Sequence, residues 1–239
     1  MPAQPWRIFG IPLRVSASWF LVVAYLMWSL ATGYFPVAYP RWSAAAHWAL
    51  GSLAALLLFA CIVIHELAHS LTAKRYGVPV ASVTLFMFGG VSQLAGRPRR
   101  PFAELIIALA GPLMSVALAA ACVVAGRSLR LAAPGFDVGS ALLQYLALIN
   151  IGLAIFNMLP AFPLDGGRVV RALLWGLTND PVRATRMASW LGALFGLGLL
   201  VLGIWVAVAQ HRLSAGVWYI LLGWFLRDAA LRSYRTGFG

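Results

Sequence analysis

Six stretches of this chain are apolar at nearly every position, and the polar residues collect in short breaks between them. The runs cover about Val15–Phe35, Ala44–Ala73, Phe102–Ala125, Ala141–Leu159, Met187–Ala209 and Ala215–Leu226. Most approach the ~20 residues that a helix needs to span a bilayer. The last is short and needs Arg227 to Leu231 to extend it. The second would measure about 45 Å as one continuous helix, so it must tilt or project from the bilayer.

Two segments break the helical pattern. Val80-Ala-Ser-Val-Thr-Leu-Phe-Met-Phe88 is rich in β-branched and aromatic residues, and Val91-Ser-Gln-Leu94 resumes after Gly89-Gly90. This predicts a β-hairpin turning at the two glycines. An open strand edge cannot face lipid, so the hairpin must dock on protein, line a cavity or sit at the interface. The fourth run ends in Asn157-Met-Leu-Pro-Ala-Phe-Pro-Leu-Asp165-Gly-Gly-Arg168. Its two prolines remove helical hydrogen bonds and open the backbone. The expected fold is an all-α polytopic membrane protein, one domain over residues 1–239, with about six transmembrane helices and a short membrane-associated β-hairpin.

Composition agrees. The chain is 62% hydrophobic and 10% charged, where a soluble domain is about a quarter charged. The first run is too long for a secretory signal and lacks a convincing cleavage site, which predicts a retained anchor. Cys61 and Cys122 fall inside runs and imply no disulfide framework. A net charge of +12 would suit nucleic acid, but its distribution argues for another origin. With the N-terminus in the cytoplasm and six spans, Arg41, Arg127, Arg130 and Arg212 fall outside and the other 14 of the 18 basic residues inside. That is the positive-inside bias, so the charge records topology and no nucleic-acid partner is expected. The expected location is a multi-pass integral membrane protein with both termini cytoplasmic.

The chemistry concentrates in Cys61-Ile-Val-Ile-His-Glu-Leu-Ala-His69. Residues four apart share a helix face, so His65 and His69 can reach one metal ion. Glu66 can take a proton from a water that the metal activates. It is the only charged side chain between Ala44 and Ala73, and a carboxylate at such depth is costly enough to signal function. A catalytic zinc usually has three protein ligands. Of the six acidic residues in the chain, Asp165 alone combines membrane-edge depth with a broken helix. The second and fourth runs also cross in the same direction, which brings both motifs toward the cytoplasmic half. His65 precedes Lys74 by about 14 Å of helix axis, within the membrane but nearer that side.

These two motifs, in this order and on these spans, resemble the site-2 protease family of intramembrane zinc metalloproteases. Gly89-Gly90 and Ala110-Gly111-Pro112 also look like that family. The resemblance covers most of the chain. It implies Zn2+ bound by His65, His69 and Asp165, Glu66 as the catalytic base, and Asn157 contacting the substrate backbone or the oxyanion. It implies that the hairpin with Gly89 and Gly90 aligns the substrate as an added strand. The implied activity is an endopeptidase cutting single-span transmembrane substrates in a prokaryotic cell membrane, for regulated proteolysis or signal-peptide clearance. No PDZ domain fits between the runs. The wording of the Asp165 motif is closer to members carrying C-terminal CBS domains, which are expected to be absent or removed here, since the sequence stops at Gly239 just past the last run.

Other readings of these residues are plainer. Asn157 could be an interhelical hydrogen-bonding residue. His47, about 27 Å from His65 along a helix, reads as interfacial, as does His211. Gly192-x-x-x-Gly196 could mark a dimer face or packing within the bundle, and the oligomeric state stays open. A metal transporter would need further ligands along the membrane normal, and the runs offer almost none. An inactive scaffold for membrane helices has no need of a complete ligand and base set.

Overall fold

The computed structural model describes residues 6–86, 89–133 and 137–236. The chain opens with a hairpin that the hydropathy pattern does not announce. Strands β1 (Trp6–Ile8) and β2 (Ile11–Val15) pair antiparallel. Phe9 and Gly10 join them at φ 50° and 73°, the two left-handed residues that a tight hairpin turn requires. The first apolar run therefore becomes helical only at α1 (Ala17–Ser29), followed by a π-helical turn at Leu30–Tyr34 and α2 (Phe35–Ala38).

Helix α3 (Ala44–Arg75) is one unbroken element. The Ser43 hydroxyl caps it by accepting from Ala46 N at 3.2 Å. At its far end Lys74 and Arg75 sit in the last turn, where cations complement the helix dipole. Gly77 follows at φ 72°. Strands β3 (Val80–Phe86) and β4 (Gly89–Leu94) then form the predicted hairpin. Gly89 and Gly90 are not its turn. They open β4 and pair with Phe86 and Leu85; residues 87–88 between the strands lie outside the described residues. A backbone stripped of side chains is required on the strand itself, because Gly90 runs against Glu66.

β2 lies parallel to β3, with Leu13 opposite Val83, a pairing that needs a long crossover; α1 to α3 supply it. The sheet order is β1-β2-β3-β4, which leaves β4 an edge among the described strands. Ile11, Leu67 and Val83 form the small core that seats this sheet on α3. Lys74 Nζ donates to Phe9 O at 3.0 Å, tying the first hairpin to the same helix.

The remaining helices are α4 (Pro101–Ala132), α5 (Asp137–Asn157), α6 (Asp165–Thr178), α7 (Pro181–Ala209) and α8 (Leu213–Thr236). The residues group into two compact units. The first holds Met1–Arg97 and Ala110–Ala154, the second Pro98–Leu109 and Ile155–Gly239. The core of the first unit joins Leu30, Phe35, Leu50, Ala54, Ala55 and Cys61 to Tyr145 and Leu146.

In the second unit, Asp180 caps α7 by accepting from Val182 N at 2.9 Å and Arg183 N at 3.1 Å. α7 and α8 pack closely through glycines: a Cβ on Gly196 would lie 2.7 Å from Gly223 O. Gly192 faces Phe162 and Ala230 of the same unit. Both glycines of that motif therefore serve packing inside the unit, the second of the two uses considered from sequence. Near the start of α4, buried Glu104 forms an ion pair with Arg171 of α6, whose Nε donates to Thr185 Oγ1 at 2.7 Å.

Five described helices are long and apolar enough to cross a membrane: Ala17–Ala38, Ala44–Arg75, Pro101–Ala132, Asp137–Asn157 and Pro181–Ala209. α8 covers the sixth predicted run and continues past it through Arg227, Asp228 and Arg232, which dilute its apolar character. The chain is a multi-pass integral membrane protein.

Candidate metal centre

His65 and His69 stand one turn apart on α3, 2% and 3% exposed. Their Nε2 atoms are 3.2 Å apart, and the rings meet nearly edge to face at 77°. Two imidazoles bound to one tetrahedral zinc at 2.0–2.1 Å would hold their nitrogens about 3.3 Å apart. The spacing is that of a chelating pair.

Space for an ion comes from α4. A Cβ added to Gly111 would overlap His69 Nε2 and lie 2.5 Å from His65 Nε2. One methyl group there would lie within 2.5 Å of both ring nitrogens, so the glycine leaves beside them the space that a small cation needs. One turn further along α4, Ser115 Oγ is 2.9 Å from His65 Nδ1, with Ser115 fully buried.

Glu66 is half-buried and follows His65 directly on α3. A Cβ on Gly90 would stand 2.6 Å from Glu66 Cγ and 3.2 Å from Ile62 Cγ2, so the opening of β4 runs against the carboxylate-bearing side chain. Ser70 and Ser92 join their hydroxyls at 2.7 Å and pin the same strand to α3. The first unit thus brings His65, Glu66, His69 and Gly90 together. Gly89 precedes on the strand at φ 124°, with no neighbour near its Cβ position.

Asp165 and Asn157 belong to the second unit. Asp165 occupies the first turn of α6 and is 7% exposed; a carboxylate there is favoured by the helix dipole. Arg168 Nη1 lies 3.8 Å from its Oδ1. The loop 158–164 folds tightly over this helix start. A Cβ on Gly166 would overlap the carbonyl oxygens of Met158 and Leu159, and one on Gly167 would lie 2.7 Å from Phe162 N. Asn157 is half-buried at the end of α5.

The other acidic residues have structural work. Glu104 pairs with Arg171, Asp180 caps α7, Asp228 meets Arg232 at 2.7 Å on an exposed face, and Asp137 begins α5. His47 is also accounted for, 3.0 Å from Tyr39 O at the opposite end of α3. Sequence reasoning missed Ser115. Its spacing of four from Gly111 on an apolar helix was the available signal.

The model of peptidase family M50 matches residues 53–134 and 131–201. A candidate zinc metalloprotease from Synechocystis sp. is 37% identical over 96% of this chain and 59% of its own length. The candidate zinc metalloprotease Rip3 of Mycobacterium tuberculosis is 41% identical over 94% of this chain and 56% of its own. This chain therefore spans under three fifths of the length of those relatives. The solved site-2 protease of Methanocaldococcus jannaschii superposes with a TM-score of 0.61 at 27% identity, covering 96% of this chain and 93% of that one. With the family match extending over both motif-bearing segments, this chain belongs to peptidase family M50, the family of the site-2 proteases.

Proposed function

We propose that this protein is a zinc endopeptidase that cleaves transmembrane segments of other membrane proteins. His65, His69 and Asp165 hold the ion, and Glu66 is the base. The observation that carries the reading is the 3.2 Å approach of two buried Nε2 atoms at a point that Gly111 leaves empty of side chain. The names of the relatives as zinc metalloproteases support the same metal. Asp165 supplies the hard oxygen donor that commonly completes such a set, and it is the remaining buried aspartate without a capping or surface role.

Zinc on these side chains supplies Lewis acidity that polarises the scissile carbonyl and acidifies water. Glu66 takes the proton of the attacking water and delivers it to the departing amine. Asn157 contacts the substrate backbone or the developing oxyanion. The substrate is a single-span helix whose scissile amides are locked in its own hydrogen bonds, so it must unwind before cleavage. The free edge of β4, entered at Gly89 and Gly90, receives the unwound segment as an added strand. The protein works in a prokaryotic cell membrane with both termini cytoplasmic, an orientation that the basic-residue bias supports, in signalling proteolysis or signal-peptide clearance.

The test is hydrolysis by the purified chain in proteoliposomes containing single-span substrates, with and without chelator, the fragments being mapped by mass spectrometry. Cleavage within the membrane-spanning sequence that zinc restores after chelation is expected. Cleavage that survives chelation, or that maps only to soluble flanks, overturns the reading.

A further inference from the structure

Resting on the metal reading above, we propose that Ser115 is a positioning residue of the metal centre that fixes the tautomer and ring plane of His65. A histidine presents Nε2 to a metal as a lone pair only while its proton sits on Nδ1, and the partner of Nδ1 decides this. In this protein the partner is Ser115 Oγ at 2.9 Å. A hydroxyl can donate or accept here, and metal on Nε2 selects the tautomer in which the Ser115 oxygen accepts from His65 Nδ1–H, while Nε2 stands 3.2 Å from His69 Nε2. Ser115 is 0% exposed and His65 2%, so bulk water does not compete for this bond.

Gly111 and Ser115 are four residues apart and share one face of α4. Gly111 leaves space beside both Nε2 atoms, and Ser115 holds the ring of one of them. α4 carries none of the three proposed ligands, yet it shapes the site through Gly111 and Ser115. A serine between membrane helices often serves only as an interhelical hydrogen bond. That role stabilises packing and leaves metal affinity alone, which makes the two roles separable.

The experiment measures Zn2+ and Co2+ affinity of the full chain by competition with a chromophoric chelator, together with the Co2+ d–d absorption spectrum. Wild type, Ser115→Ala and His65→Ala are compared, with helix content and elution volume as folding controls. Ser115→Ala is expected to bind metal roughly 10- to 100-fold more weakly, the usual effect of deleting such an outer partner, with altered d–d bands and unchanged fold. Wild-type affinity and bands in Ser115→Ala overturn the proposal, including when apo stability falls. Should Ser115→Ala not fold, Ser115→Thr is read instead: it keeps the hydroxyl, so affinity near wild type is expected, and a loss of roughly tenfold or more overturns the proposal. His65→Ala reports on the underlying assignment. Undiminished affinity in that variant removes the metal site itself, a result distinct from failure at Ser115 alone.

Discussion

The backbone of Gly90 passes so close to Glu66 that a Cβ on the glycine would stand 2.6 Å from the Glu66 Cγ. A strand edge and the proposed base are thereby built as one unit, and the strand can approach only because it carries no side chain at that point. Gly90→Ala must displace the Glu66 side chain. The expected outcome is a drop in turnover with metal content unchanged, measured by fragment release beside metal analysis. Unaltered turnover would show that Glu66 relaxes freely and that its position is not set by β4.

Glu66→Gln keeps the size of the side chain and removes its basicity. Zinc stoichiometry should match wild type while turnover falls roughly 10²- to 10⁴-fold, the usual contribution of a general base. Hydrolysis at the wild-type rate would take Glu66 out of the mechanism.

Gly111→Ala tests the space that this glycine leaves beside the two imidazoles. In the interior of α4, alanine favours the helix by up to about 1 kcal/mol over glycine. The new methyl, however, would lie within 2.5 Å of both ring nitrogens. Metal content should collapse with helix content retained, and because the methyl must displace two buried imidazoles, apo stability should fall by about 1–3 kcal/mol despite the better helix former. A variant that binds metal normally would place the ion elsewhere.

Glu104 and Arg171 form a buried pair, with side chains 4% and 14% exposed. Removing one partner strands the other charge, so Arg171→Met or Glu104→Leu should each destabilise by about 3–5 kcal/mol. The double variant should recover most of that loss. A thermal-denaturation double-mutant cycle measures the coupling, and additive losses would mean that the two side chains act independently.

Much of the site was legible because its chemistry is local. His65, Glu66 and His69 lie within five positions, and helical periodicity alone puts both imidazoles on one face. The apolar runs gave the helices because a bilayer demands long uninterrupted apolar segments. Short strands lack that protection from misreading. Trp6–Val15 carries a hairpin only ten residues long, and its Phe9-Gly10 turn is weak beside the apolar run that follows. Gly89-Gly90 misled in the opposite sense. A glycine pair between two apolar stretches signals a turn, yet here both pair on the strand and Gly90 serves close approach to Glu66. The same was true of Gly192 and Gly196, whose neighbours within the second unit could not be read from spacing.

By itself, the sequence determined the membrane setting and the helix that carries His65, Glu66 and His69 on its face, since hydropathy and four-residue spacing are properties of a segment taken alone. The tertiary structure decided which side chains surround that motif. Gly111 leaves space beside both Nε2 atoms, Ser115 reaches His65 Nδ1, and Gly90 brings a strand edge to Glu66. These partners lie 24 to 50 residues from the groups they touch, and only packing between separate elements can select contacts at that distance along the chain.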